Sequence, residues 1–454
     1  MFKKLGNILA KAEADYADIR YEVMKETFIT FNGKELSRIG SNITDGYVLR
    51  VLKNGGMSSV AFTKEEDAPG AVKTAVENAV LIGMNIDKSI KLAKIPVIKD
   101  TFLPELKEDP RKIPIGEKLE LVRKYNDIPL SHDKIVMTNI GYSEVNREKY
   151  FLSTEGAEIR EDLITTSLRG LITSKDGNLT QNIRVGSGGS DGFQSIRNLE
   201  EKLEKRTGLV LDLLKAEPVK GGVYNCIVDP NLAGVFVHEA FGHFSEADII
   251  ETLPAMREKM EIGSQLGNEV LTIIDNATMP DQLGFYKYDD EGVPVREVQL
   301  MKNGVLTGRL HSRRTAMEFD ESFSGHCVAE DYRFAPIIRM GNIYIEPGTD
   351  SFEKLLEKLE DGLYIIDAKG GQTSGENFTF GAQYGYLVKD GKKAGMIRDI
   401  NMSGNLYKTM MDITAVGNDL VLSKTGGCGK GQLNIRSCNG GPHILMNNVV
   451  IGGV

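Results

Sequence analysis

Two histidines five positions apart, His238 and His243, constrain the local fold of this chain more than any other feature. They stand in His238-Glu239-Ala240-Phe241-Gly242-His243, behind Asp229-Pro230, where Asp can cap free backbone N–H groups and Pro suits the first helical position. Leu232, Val235 and Phe236 add an apolar stripe, so the spacing predicts a helix near 231–247. On a regular helix such a step turns the side chain by about 500°, leaving it roughly 140° off the first and about 7–8 Å along the axis. Two side chains so placed cannot easily share one ion. A π-turn, or a helix that ends at Gly242, brings them together, and glycine makes the distortion cheap. The sequence therefore predicts an irregular helix at Gly242.

The residue types point to a chemistry. Two neutral imidazoles can hold zinc, and a nearby carboxylate can take a proton from an attacking water, as metal-assisted peptide hydrolysis requires. The ordinary zinc-protease spacing, His-Glu-x-x-His, sets its histidines one turn apart. Here the second comes one residue later, so the pair alone does not separate a zinc site from two hydrogen-bonded histidines flanking a glutamate. A third ligand is needed, and the candidates are Cys428, Cys327 beside His326, His311, Cys438 and His443. The glycines of Thr425-Gly426-Gly427-Cys428-Gly429-Lys430-Gly431 let a loop approach a metal closely and a thiolate is a suitable ligand, which puts Cys428 modestly ahead of His326-Cys327. Cys226, in the apolar run Val223–Val228, reads as core.

At 454 residues, with 41% hydrophobic and 26% charged side chains, the chain is an ordinary globular one, too long for a single core. The net charge of −9 opposes polyanion binding as a main activity, so no direct nucleic-acid contact is expected. Phe2, Leu5, Ile8, Leu9 and Ala12 recur at helical spacing, and Lys11, Glu13 and Asp15 interrupt too early for a signal peptide. No run approaches the roughly 20 apolar residues of a membrane span. The expectation is a cytoplasmic protein, without a membrane partner, whose four cysteines are reduced thiols.

The punctuation of the chain gives an α+β fold. Strands around Ile19–Val23 and Phe28–Phe31 lead to Asn32-Gly33, and a hairpin joins Gly46–Leu52 to Met57–Phe62 across Asn54-Gly55-Gly56. A helix follows over 65–83, and residues 1–90 make an N-terminal α+β unit. Residues 91–217 hold a Pro-rich connector, a helix near 116–125, an antiparallel meander between 134 and 185, and a helix over 199–214. Gly186-Ser187-Gly188-Gly189-Ser190-Asp191-Gly192 reads as a flexible segment without the Gly-Lys-Ser/Thr ending of a phosphate loop. Residues 218–454 form a strand-rich domain that carries the histidine helix, with one further helix near 352–359.

The second half resembles the TldD/PmbA family of metallopeptidases, historically labelled modulators of DNA gyrase. The matching residues are His238 to His243 with Glu246 and Asp248, Asp289-Asp290-Glu291-Gly292 before the strand Val298–Met301, and Tyr332-Arg333-Phe334-Ala335-Pro336 with Arg339-Met340. They continue through Tyr344-Ile345-Glu346-Pro347-Gly348, Gly370-Gly371-Gln372 and Cys428-Gly429-Lys430-Gly431-Gln432. The resemblance implies a Zn2+ cofactor with His238, His243 and Cys428 as metal ligands and Glu239 as catalytic base. It implies a peptide substrate, unfolded or extended, including precursor peptides. It also implies a dimer, either of this chain or with a related subunit that lacks the zinc motif. Gly341 and Ile343 depart from the family pattern, where threonines are usual, and this bears on peptide preference. The competing expectation is a non-enzymatic protein-binding regulator of the gyrase-modulator type, with a structural zinc or no metal.

Overall fold

Leu5, Ile8 and Leu9 share one face of helix α1 (Phe2–Leu9) and bury it against the long strands that follow. The structure, a computed structural model, describes residues 1–452. Strand β1 (Tyr16–Asn32) pairs along its whole length with β2 (Glu35–Lys53). Strand β3 (Gly56–Phe62) returns across Asn54-Gly55, whose φ values of 52° and 80° are both positive, as the tight hairpin turn requires. Helix α2 (Ala68–Asn85) covers this hairpin through Ala71, Val72, Ala75 and Ala79.

The same sheet continues on the other edge of β1. Strand β4 (Lys99–Phe102) is short, and β5 (Ile135–Ser153), β6 (Glu158–Asp176) and β7 (Leu179–Gly189) form the expected meander. The seven strands run β3-β2-β1-β5-β6, with β4 and β7 both pairing β6. Strands from residues 1–90 and 91–217 therefore share one sheet. Helices α3 (Ile115–Leu130) and α4 (Glu200–Leu213) cover part of it, with Val122, Tyr125, Leu203 and Val210 packed near Tyr142, Leu168 and Ile183. The segment expected to be flexible is mostly strand: β7 runs to Gly189, with Gly186 opposite Arg169 and Gly188 opposite Ser167. A Cβ on Gly188 would meet the Lys424 carbonyl oxygen at 3.0 Å, so the glycine marks a close backbone approach, not mobility.

The C-terminal half has two main sheets. Strand Gly222–Val228, with Cys226 fully buried, lies between Gly362–Ser374 (parallel) and Ile444–Gly452 (antiparallel) in an eight-stranded sheet. A six-stranded sheet contains Ile273–Asn276, Glu297–Lys302, Asn342–Ile345 and Cys438–Gly441. Helix α5 (Pro230–Val237) packs against strands of both, where Leu232 and Phe236 enter the largest core. Phe352–Leu359 is helical as expected. The short helices Ala247–Glu251, Pro254–Lys259, Arg313–Phe319 and Leu406–Met411 were not expected, because one or two turns are too short to display a helical period.

Buried charge joins the halves. Asp290 lies at ion-pair distance from Lys149 (2.9 Å), Arg147 (3.3 Å) and Arg20 (3.5 Å) of the first sheet. Arg50 is held between Asp18 at 2.6 Å and Glu291 at 2.9 Å. Such charges are tolerated away from water only when paired, so these contacts fix how the Asp289–Gly292 turn seats on the sheet.

Candidate metal centre

The Asp229 carboxylate accepts a hydrogen bond from the Leu232 N–H at 3.0 Å and caps α5, with Pro230 as its first residue. The α-helix ends at Val237. His238–Gly242 then makes a π-turn, and His243–Ser245 a 3-10 turn, so the predicted irregularity at Gly242 is present. The extra residue in the wide turn brings the His243 ring to 5.3 Å from the His238 ring, centroid to centroid. Gly242 is also needed for space: a Cβ there would lie 2.1 Å from Met340 Sδ and 3.0 Å from Ile343 Cδ1. Gly341 and Ile343, the two departures from the family pattern, are buried, and Ile343 packs behind this turn.

Cys428 reaches the histidines on a loop closed by reciprocal backbone hydrogen bonds with Ile435, both 3.2 Å. Its Sγ lies 2.9 Å from His238 Nε2 and 3.7 Å from His243 Nε2. The three ligand-type atoms all fall within 4.8 Å of one another. His238 Nδ1 is buried and has no hydrogen-bond partner. Burial pushes the Cys428 thiol up, but its contacts with His238 and His243 outweigh that and bring it down to about 6. Burial would lower His243, yet Cys428 and Glu246 hold it up at about 10. Both shifts favour a Cys428 thiolate beside a protonated His243.

A fully buried carboxylate stands behind the pair. Glu246 is 3.5 Å from His243 Nδ1, 2.8 Å from Lys430 Nζ and 3.5 Å from Arg339 Nη1. Lys430 also reaches Asp248 at 2.8 Å and donates to the Ile338 carbonyl at 2.8 Å. Being two residues past Cys428, it ties the cysteine loop to the segment that follows His243. Sequence reasoning gave Glu246, Asp248 and Lys430 no role beyond resemblance; the only signal was a lysine next to a candidate ligand and two acids just past the histidines.

Glu239 Oε2 lies 3.7 Å from His243 Nε2, and its side chain is 30% exposed. It lines a cavity of about 850 Å3 shared with Val235, Gly370, Gly371 and the Ser423–Gly427 segment. The other candidate ligands are engaged elsewhere. His311 contacts Thr315 and Glu321, His326 contacts Asp275 and the Ser324 carbonyl, and His443 contacts Asp419 and Tyr364. Cys438 Sγ faces the Ser423 carbonyl, and Cys327 is buried beside the Asp289 turn.

Profiles for the PmbA/TldA metallopeptidase domain 1, central domain and C-terminal domain match residues 17–82, 108–215 and 221–453. The chain belongs to the TldD/PmbA metallopeptidase family. The last of these matches contains His238, Glu239, His243 and Cys428 together. A metalloprotease of Synechocystis sp. is 35% identical over 98% of this chain and 96% of its own. A zinc metalloprotease TldD homolog of Saccharolobus solfataricus is 30% identical over 98% of this chain and 99% of its own. The α+β fold is shared with two solved structures. One is a Thermotoga maritima protein described as a modulator of a DNA gyrase, with TM-score 0.81 and 21% identity over 100% of both chains. The other is TldE from Thermococcus kodakarensis, with TM-score 0.78 and 18% identity over 100% of both chains. Like the named metalloproteases, this TldD/PmbA member is a metallopeptidase. No helix among its described residues is long and apolar enough to cross a membrane.

Proposed function

We propose that this chain is a zinc-dependent peptidase in which His238, His243 and Cys428 hold the ion and Glu239 is the general base. The observation that carries the reading is the convergence of two imidazole nitrogens and one cysteine sulfur from segments 185 residues apart in sequence. At ordinary zinc–nitrogen and zinc–sulfur bond lengths, tetrahedral N···S separations are about 3.5 Å; the observed 2.9 and 3.7 Å lie on either side of that distance, so the donor set fits. Bound zinc supplies a Lewis acid that makes water acidic and polarises a carbonyl.

The chain's own residues do the rest. Glu239, open to the cavity, takes a proton from the attacking water and passes it to the leaving nitrogen. Glu246 holds the His243 ring from behind, with its charge offset by Lys430 and Arg339. The pairing of Gly362–Ser374 with Gly222–Val228 stops at Ile365, and Ala368, Gly370 and Gly371 then border the Glu239 cavity. An extended peptide can add to this edge as a strand, which selects for unfolded chains with little dependence on sequence. Maturation of peptide precursors suits that selection. We include in the proposal a dimer, of this chain or with a related subunit that lacks the zinc motif. The fold shared with TldE supports the second form. The partial exposure of Glu239 on the cavity favours this reading over a closed structural zinc in a gyrase regulator.

Glu239→Gln is expected to keep its metal while peptide turnover falls by about 10²–10⁴-fold. Metal content by mass spectrometry and cleavage of an unfolded polypeptide measure the two. Retained turnover removes Glu239 as base.

A further inference from the structure

A second cavity, of about 710 Å3, lies between the first sheet and the C-terminal half. Its cationic lining is unevenly paired. Arg147 and Lys149 meet Glu22, Glu161 and Asp290, and Arg333 meets Asp331. Arg169 and Arg436 have no carboxylate at ion-pair distance among the described residues. Arg436 donates from Nη2 to Ser190 Oγ at 2.7 Å and to the Phe285 carbonyl at 3.2 Å, and from Nη1 to Thr165. Its Nε is buried without a partner. Burial, and then the neighbouring Arg147, push its guanidinium down to about 10 against the opposing pull of Glu161, which lies beyond ion-pair distance. Arg169 donates to the Gly426 carbonyl and stays exposed at the rim of the cavity.

A guanidinium withdrawn from water without a counter-charge is unfavourable, and an arriving anion relieves it. Position says where the anion comes from. Arg169, Gly426 and Gly427 line both this cavity and the one that holds Glu239. The next residue is Cys428. A chain lying across Gly426-Gly427 has one part at Glu239 and the other at the arginines. The lining also contains Glu26 and Glu330, which favour a monoanion over a dianionic phosphate.

We propose that this cavity is a carboxylate subsite, where Arg436 and Arg169 receive an acidic side chain or the C-terminal carboxylate of the peptide lying at Glu239. The inference rests on the peptidase reading for its substrate, but it is tested by binding. Fluorescence anisotropy on full-length, zinc-loaded Glu239→Gln protein compares one extended labelled peptide as the C-terminal acid and amide, and with glutamate replaced by glutamine. One of the two acid forms is expected to bind at least about 10-fold tighter, as a charge-assisted hydrogen bond provides. Which one does so tells the terminus from the side chain. The preference should fall to about threefold or less in Arg169→Gln and in Arg436→Gln, and return in part in Arg436→Lys. Arg169 is exposed at the rim, so its variant decides even if Arg436→Gln does not fold. Equal affinity for all peptides, or a preference that survives Arg169→Gln, overturns the subsite. If the wild type cleaves peptides but shows no preference, only this inference fails; if it cleaves nothing, the peptidase reading fails while the binding ratio still tests the cavity.

Discussion

At the scale of the residue, the proposed metal site draws on one thiol in four. All four are buried, but only Cys428 faces two imidazoles that bring its thiol down, whereas burial leaves the thiols of Cys226, Cys327 and Cys438 raised. Cys428→Ala is therefore expected to take zinc from about one ion per chain to near none, and Cys327→Ala to leave it unchanged. Metal analysis of the two purified variants checks this, and loss only in the second transfers the ligand role to Cys327. Lys430 touches no candidate ligand atom, but it holds the Cys428 loop against Glu246 and Asp248. Lys430→Met should weaken zinc affinity by about 10–100-fold in a chelator competition, as loss of an outer partner usually does. Unchanged affinity makes the lysine a bystander. The histidines stood out by their spacing, whereas the glycines around Cys428 put it only modestly ahead of His326-Cys327, and the family resemblance was needed to name the three together. Lys430 was not legible, because its partners stand about 180 positions away and no local pattern marks them.

At the scale of the element, glycine decides how close α5 comes to the sheet. A Cβ on Gly234 would sit 2.7 Å from the backbone of Gly440, where nothing can rotate aside. Gly208, in α4, has no atom within 4 Å of such a Cβ. Gly234→Ala should cost about 1–3 kcal/mol by overpacking, while Gly208→Ala should gain about 0.5–1 kcal/mol from helix propensity. Denaturant midpoints of the two variants should move in opposite directions; a shared direction removes the packing argument. The elements themselves were unevenly legible. The turn at Asn54-Gly55 and helix Phe352–Leu359 follow from local rules. Strand β1 showed only its two apolar ends, because Met24-Lys25-Glu26-Thr27 interrupts the alternation. Those residues stay in the strand because β2 and β5 pair them from both sides, which is information that lies outside the segment.

At the scale of the whole molecule, the seat of one half on the other is written in charge that the sequence pattern assigns to solvent. Arg20, Glu22, Arg147 and Lys149 occupy strands as polar residues, and strand alternation alone would turn them outward; instead they are buried around Asp290, more than 140 positions from the nearest of them. Burial pushes the Asp290 carboxyl up, but Arg20, Lys149 and Arg147 overcome it and hold it well below the usual carboxylate range. A carboxylate lowered on folding stabilises the native state above its unfolded value, near 3.9. That contribution is lost as pH falls toward the folded value. The melting temperature should thus fall on acidification below about pH 4. Asp290→Asn should lose about 3–5 kcal/mol at neutral pH, since three buried cations lose a partner, and its acid decline should be shallower because the titrating group is gone. Scanning calorimetry of both proteins across pH measures the two effects. A variant as stable as the wild type at pH 7, with the same acid slope, would show that the halves are held by their apolar contacts and that the ion cluster only fills the space between them.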